Sequence, residues 1–234
     1  LRFFPATAQH LCVRYALIGD VHCSPLLRKC LDFVRSNAVD LALCVGDLCD
    51  GEGSLSDTIS LLRTHPVGPV RCVRGNHERW LLTDRFRDSP HAHKREALSA
   101  DELAWIQALP IYLAFEDDTI VLTHALFEDD MTFVGQDTNA RDVLDVSAYA
   151  RARRRLPSMR VLVTGHTHSV MVRSIDGVLF INPGSLVAEP APSFAIFDSV
   201  ELSVRLFEFV EGSIVERAMI SLFRSPTSGM IPRP

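Results

Sequence analysis

No apolar run among the 234 residues approaches membrane-spanning length, so no stretch reads as a transmembrane helix. None of the six cysteines (Cys12, Cys23, Cys30, Cys44, Cys49 and Cys72) falls in a C-x-x-C pair, which excludes the commonest zinc spacing. All six lie in the first third of the chain, several inside apolar runs, and they do not form the framework of a small secreted domain. Buried free thiols in a reducing, cytoplasmic setting are the expectation. Internal repeats and low-complexity segments are absent. An excess of one charge is also missing: 24 Lys+Arg against 29 Asp+Glu leave a net charge of -5, which gives no electrostatic reason for tight nonspecific binding to nucleic acid or membranes. The opening Leu1-Arg2-Phe3-Phe4-Pro5 has neither a methionine nor the long apolar stretch of a signal peptide, and a truncated or re-annotated start is expected.

Hydrophobic residues make up 47% of the chain, which suits one well-filled domain over 1–234. Its core is expected over about 13–210, and the proline-rich tail, about 224–234, is expected to fray.

Val13-Arg14-Tyr15-Ala16-Leu17-Ile18 reads as a strand that delivers Gly19-Asp20-Val21-His22 at its carboxyl end. Ser24 as N-cap and Pro25 at the first helical position open a helix with Leu27, Cys30, Leu31 and Val34 on one face. The apolar run 40–45 is a strand buried on both faces, ending at Gly46-Asp47. Ser54 with Asp57 caps a helix to about Thr64, and a third strand over 69–73 ends at Arg74-Gly75-Asn76-His77-Glu78. Residues 79–95 read as irregular, or as short helices near the site. Ser99 and Glu102 form a capping box for a helix closed by Pro110. A hairpin over 111–115 and 119–123 delivers His124, and a long loop to Asn139 precedes one helix over about 141–156.

The strand Arg160-Val161-Leu162-Val163-Thr164 stops at Gly165, whose freedom is expected to turn the backbone sharply enough to aim His166 and His168. Strands over 170–174 and 178–181, a turn at Asn182-Pro183-Gly184-Ser185, a hairpin over 193–198 and 201–209, and a short amphipathic helix to about Phe223 complete the chain. Early strand–helix alternation followed by hairpins predicts an α/β fold: a two-sheet sandwich flanked by helices.

Five strand ends therefore carry ligand-type residues: Asp20 and His22, Asp47, Asn76 and His77, His124, and His166 and His168. Strands of one α/β layer place their carboxyl ends along one edge, where ligands bind, so the set can converge. Each residue alone has a bland reading as a polar loop after a buried strand. Repetition at successive strand ends is what favours a site.

Gly19-Asp20-Val21-His22, Gly46-Asp47, Gly75-Asn76-His77-Glu78, Thr123-His124 and Gly165-His166-Thr167-His168 resemble the five ordered motifs of the calcineurin-like metallophosphoesterases. The resemblance runs from about Val13 to Ser185. The compact length and Asn182-Pro183-Gly184-Ser185 are more similar to the small prokaryotic phosphodiesterases of that superfamily than to its protein phosphatases. Position by position, the resemblance implies that Asp20, His22 and His168 hold one metal. It implies that Asn76, His124 and His166 hold a second, with Asp47 bridging. Mixed carboxylate, imidazole and amide ligands suit two divalent transition-metal ions, manganese first, with iron, zinc or nickel as alternatives. The implied reaction is hydrolysis of a phosphodiester, with phosphomonoesters also in reach, by in-line attack of a metal-bridging hydroxide. His77 is implied to be a general acid rather than a ligand.

Weaker signals take plainer readings. Glu78 reads first as an acidic residue favoured by a helix dipole, and only second as a group orienting His77. Arg74 and Arg79 read as solvated, and His91 and His93 are left out of the site. Arg151, Arg153, Arg154, Arg155 and Arg160 gather around a helix end, where cations are favoured, with no interleaved aromatics to suggest a nucleic-acid footprint. Cys23, beside His22, is either buried or an oxidation-sensitive thiol. Leu48-Cys49-Asp50-Gly51 lacks the Val-Asp-Arg-Gly continuation of the serine/threonine protein phosphatases and dinucleoside tetraphosphate hydrolases. The expected partner is a small phosphate ester, a nucleotide among the candidates, with neither membrane nor nucleic acid. The competing readings are a non-catalytic scaffold, since a retromer subunit shares this fold, and a nucleic-acid-processing nuclease. The first requires loss of ligands or of the catalytic histidine, and this sequence has all of them.

Overall fold

In the computed structural model, which describes residues 13–187 and 191–221, strand alternation generates the layers. Strand β1 (Arg14–Ile18) sends Tyr15 and Leu17 into one apolar cluster and Ala16 and Ile18 into another, because successive side chains leave a strand on opposite faces. It pairs in parallel with β2 (Leu41–Cys44), which pairs in parallel with β3 (Arg71–Cys72). On its other side lie the antiparallel β9 (Ser193–Asp198), β10 (Ser203–Val210) and β11 (Ser213–Ser221), giving a six-stranded sheet.

A five-stranded sheet is built from β4 (Tyr112–Phe115), β5 (Ile120–Thr123), β6 (Val161–Val163), β7 (Met171–Ile175) and β8 (Val178–Asn182), in the order β4-β5-β6-β8-β7. The sheets meet through Tyr15, Leu17, Leu43, Val45 and Val73 on one side and Leu122, Val161, Val163 and Ile181 on the other. Helix α1 (Leu26–Ser36) covers the outer face of the first sheet with Leu27, Cys30, Leu31 and Val34, all fully buried. Burial of each large aliphatic side chain there contributes about 1.5–3 kcal/mol. Helices α5 (Ala140–Asp145) and α6 (Ser147–Arg155) cover the second sheet through Val143, Tyr149 and Ala152. The chain is thus a two-sheet sandwich between helices. Helices α2 (Leu55–Thr64), α3 (Asn76–Thr83) and α4 (Ala100–Ala108) share a smaller cluster of Leu55, Ile59, Leu81 and Ile106.

Several boundaries differ from the sequence reading. Residues 79–83 are not irregular: α3 starts at Asn76, so the third motif itself forms the first turn of a helix. The expected helix over 141–156 is broken at Val146, which is extended (φ -68°, ψ 115°). The expected C-terminal helix is a strand. Glu211 and Gly212 take positive φ (47° and 76°), making a two-residue turn whose twist suits a hairpin, and Val210 then pairs with Ser213. The β-branched Ile214, Val215 and Ile220 fit the resulting strand β11, so the sheet continues past the expected end of the core at 210. Cys12 and the tail over 224–234 lie outside the described residues. The other five cysteines are free and buried.

Candidate metal centre

The carboxyl ends of β1, β2, β3, β5 and β6 meet at one edge of the sandwich, and backbone hydrogen bonds lock their loops together. The Asp47 carbonyl accepts from the N–H groups of Val21 (3.0 Å) and His22 (2.8 Å). The Asp20 carboxylate accepts the His166 N–H (3.1 Å), and the Gly165 N–H donates to the His124 carbonyl (2.7 Å). The Asp47 Oδ1 accepts the His77 N–H (3.0 Å).

All eight residues singled out in the sequence are brought together. Asp20, His22 and His168 offer ligand atoms within 4.8 Å of one another, as do Asp47, His124 and His166, and also His22, Asp47 and His77. The Asn76 Oδ1 lies 2.8 Å from His124 Nε2 and 2.9 Å from His166 Nδ1. His22 Nε2 and His168 Nε2 are 3.1 Å apart.

The donor chemistry of this cluster fits cations. His22 Nδ1 faces the carbonyls of Cys49 (3.0 Å) and Asp50 (3.1 Å), and His124 Nδ1 faces the carbonyl of Val45 (3.0 Å). A carbonyl can only accept, so Nδ1 carries the proton in both rings and Nε2 presents a lone pair to the site. At His124 that nitrogen lies 2.8 Å from the Asn76 Oδ1 and 3.4 Å from the Asp47 Oδ2, so an imidazole nitrogen, an amide oxygen and a carboxylate oxygen converge on one point. Such a mixed set suits a divalent cation, and the carbonyl-fixed tautomer is the usual support of a ligating histidine.

Electrostatics points the same way. Burial, with the Asp47 charge adding to it, pushes Asp20 up to about 7. Burial and the charge of Glu78 push Asp47 up to about 8. His166 and His168 are pushed down to about 4, first by burial and then by neighbouring imidazoles. Without cations the cluster resists both its own negative and its own positive charges. Bound divalent ions would take the place of the carboxyl protons.

A sequence model of the calcineurin-like phosphoesterase superfamily domain matches residues 13–201, the span that holds every one of these residues. The chain belongs to the calcineurin-like phosphoesterase superfamily. Solved structures share the fold. A metallophosphoesterase from Sphaerobacter thermophilus aligns over 85% of this chain and 88% of its own, at 22% identity and a TM-score of 0.62. A single mutant of Vps29 from Entamoeba histolytica aligns over 90% and 100%, at 23% identity and 0.55. An archaeal phosphodiesterase aligns over 84% and 99%, at 19% identity and 0.52. The superfamily uses divalent metals, and the clusters above are where this calcineurin-like phosphoesterase could hold them.

Two carboxylates of the calcineurin-like site do more than the sequence reading gave them. Glu78 stands in the first turn of α3, as the dipole reading expected, but it makes no hydrogen bond to His77. It is fully buried, and its carboxylate accepts the N–H groups of Gly75 (2.8 Å), Asp47 (2.9 Å), Leu48 (2.7 Å) and Cys49 (3.2 Å), tying the second motif to the start of α3. Asp50 is what orients His77: its Oδ2 lies 2.8 Å from His77 Nδ1, leaving His77 Nε2 on the site side, 3.9 Å from Asp47 Oδ2. Arg87 holds Asp50 through two bonds (2.7 and 2.8 Å), and the N–H of His93, set aside earlier, gives a third (2.9 Å). Burial opposes charge on the His77 ring, but Asp50 and Asp47 outweigh it and raise its pKa. The only sequence signal for Asp50 was its place three residues after Asp47.

Gly165 also acts otherwise than expected. Its own φ is not positive; His166 (71°) and His168 (56°) take the left-handed turn themselves. A Cβ at Gly165 would strike Val45 and come within 2.8 Å of Asp20 Oδ2, so glycine is required by close approach. Arg79 is not free in solvent but makes a bidentate pair with Asp130 (2.6 and 2.8 Å). In the arginine cluster, Arg151 and Arg155 pair with Glu128, and Arg153 and Arg160 both donate to the Met159 carbonyl in the loop after α6. Cys23 is buried, and burial pushes its thiol up to about 12, against a reactive thiolate. Among the described residues no helix is long and apolar enough to cross a membrane.

Proposed function

We propose that this chain is a dinuclear metal-dependent phosphoesterase that hydrolyses phosphodiesters, and phosphomonoesters to a lesser degree, within a single domain. Asp20, His22 and His168 would hold one ion, Asn76, His124 and His166 the other, and Asp47 would be shared. The observation that carries the reading is the convergence of Asn76 Oδ1 and Asp47 Oδ2 on His124 Nε2, within hydrogen-bond or ligand distance of it, beside a histidine held by a carboxylate. When bound, the two ions supply acidification of water and neutralisation of the phosphoryl oxygens; manganese leads the candidates, ahead of iron, zinc or nickel.

The chain's own residues do the rest. The carbonyls of Cys49, Asp50 and Val45 fix the tautomers of His22 and His124. Asp50 takes the Nδ1 proton of His77 in a hydrogen bond and stabilises the charged ring, so Nε2 gives its proton to the oxygen that leaves phosphorus. A non-catalytic scaffold on the same fold is the rival, and the intact pair of His77 and Asp50 argues against it. The test is hydrolysis of bis(p-nitrophenyl) phosphate beside p-nitrophenyl phosphate by metal-stripped protein, with Mn²⁺ restored. Turnover should return with the metal and collapse in Asn76→Ala and His77→Ala. No turnover with any divalent ion, despite two ions bound per chain, would favour the scaffold.

A further inference from the structure

A cleft of about 620 Å³ opens at the ligand cluster, lined on that side by His22, His77 and His168. That volume is in the range of small-molecule sites. Its apolar walls are Pro25, Leu26, Leu186, Val187 and Pro192, and the exposed His91 also reaches its lining. The walls are fixed by polar anchors rather than by apolar contact alone. The Leu186 N–H donates to the Asp20 carbonyl (2.9 Å), Ser24 Oγ donates to the Leu186 carbonyl (2.5 Å), and the Val187 N–H donates to Ser185 Oγ (3.1 Å). The start of α1 and the segment after β8 are therefore tied both to each other and to a candidate ligand. The cleft is built before anything enters it.

Its charges are as informative as its walls. No lysine or arginine is among the described residues that line it. Asp50 lines it too, but its carboxylate is already paired with Arg87. Glu52, exposed at the lining, is the carboxylate there with no such partner described. Away from the histidines, an anionic group pushed into this space would lose its hydration against aliphatic walls, find no lysine or arginine to compensate it and meet the charge of Glu52.

We propose that this cleft receives the alcohol that departs from the substrate, and that this alcohol is uncharged and apolar, an aryl or alkyl group without further phosphates or carboxylates. The assignment rests on the phosphoesterase reading above: the proton donor His77 faces the cleft, so the oxygen it protonates belongs to the group held there. It narrows the substrate class by disfavouring nucleoside polyphosphates and other multiply anionic esters on the leaving side.

The test has a binding arm and a turnover arm, both at pH 8, where ordinary imidazoles are neutral. Binding of 2-naphthol and of 6-hydroxy-2-naphthoate to the purified protein is followed by the probes' own fluorescence. The neutral probe should bind at least about tenfold more tightly, and Glu52→Lys and Val187→Arg should each shrink that ratio severalfold. Each should do so by tightening the carboxylated probe, a gain that unfolding the protein cannot produce. Equal or tighter binding of the carboxylated probe, or a ratio unmoved in both variants, would overturn the proposal. For turnover, bis(4-nitrophenyl) phosphate is compared with bis(3-carboxy-4-nitrophenyl) phosphate in kcat/KM. Equal rates on the two esters would overturn the cleft assignment while leaving the phosphoesterase reading intact. Absence of turnover with the naphthol preference preserved would remove the phosphoesterase reading and leave the cleft's selectivity standing.

Discussion

Replacing Glu78 by glutamine changes one oxygen into an amide group and should be costly although the shape hardly changes. The carboxylate is fully buried and uses both oxygens: Oε2 accepts from Gly75 and Asp47, and Oε1 from Leu48 and Cys49. Whichever way the glutamine amide turns, its NH₂ faces two peptide N–H groups that have lost their acceptor. Each orphaned buried donor costs about 1–3 kcal/mol, so the loss should be about 2–6 kcal/mol, a large part of the ~5–15 kcal/mol that holds a typical domain together. If Glu78 merely complemented the dipole of α3, the loss would be only about 0.3–1 kcal/mol. Guanidinium denaturation of metal-free wild type and Glu78→Gln separates the two, provided the m-value is unchanged. A second readout follows from geometry. The Asp47 N–H is one of the four donors, and Asp47 sits at a φ of 48°, which most residues avoid. Metal affinity should therefore fall with stability. A Glu78→Gln protein within about 1 kcal/mol of wild type, binding Mn²⁺ normally, would refute the organising role given to this carboxylate.

The raised carboxyls set a pH signature. Asp20 (about 7) and Asp47 (about 8) keep protons that the unfolded chain releases near pH 4, so they weaken the metal-free fold as pH rises toward 8. His166 and His168 (about 4) act oppositely between pH 4 and about 6.5, where the unfolded chain binds their protons and the folded chain does not. Above about pH 6.5 the carboxyls act together with His77 and the buried thiols, whose raised pKa values have the same sign, so denaturation midpoints should fall from pH 6.5 to 8.5 more steeply in metal-free than in Mn²⁺-loaded protein; a flat metal-free profile contradicts the reading. Asp50→Asn removes the hydrogen-bonded charge behind His77 and should lower kcat by about 10–100-fold with little change in KM, measured per folded molecule. A shift confined to KM would assign Asp50 to substrate binding instead. Gly165→Ala pushes a methyl group onto Val45 and the Asp20 carboxylate and should abolish stoichiometric metal binding, by metal analysis after dialysis; full occupancy would show that the loop can yield.

Legibility followed the direction in which each residue's constraint runs along the chain. Asp20, Asp47, His124 and His166 announce themselves because each follows an apolar strand that must end where they stand, and parallel strands bring such ends together. Glu78 and Asp50 do not, because what defines them comes from far away: Glu78 takes N–H groups from about thirty residues upstream, and Asp50 takes Arg87 from 37 residues downstream. The C-terminal strand was misread because the spacing of its apolar residues also suits a helix, and only the positive φ at Glu211 and Gly212 decides for the hairpin.

Gly165 is the most instructive case, since the residue was picked out for the wrong reason. The expectation gave the sharp turn to the glycine. The molecule gives it to the ligands instead, placing His22 (45°), Asp47 (48°), His166 (71°) and His168 (56°) in the left-handed region. That conformation disfavours any residue with a Cβ, so four candidate ligands hold it only because the bonds around them leave no alternative. The Asp47 carbonyl is pinned by Val21 and His22, the His166 N–H by Asp20, and the loop from Gly165 to Thr167 by the buried Asn182 amide, which donates to the Gly165 carbonyl (2.9 Å) and to Thr167 Oγ1 (3.0 Å). Local preference therefore predicts the strands well and fails at their ends. Where it fails in three neighbouring loops at once, at four residues that aim a carboxylate or imidazole at the same point, the shared cause is the point itself.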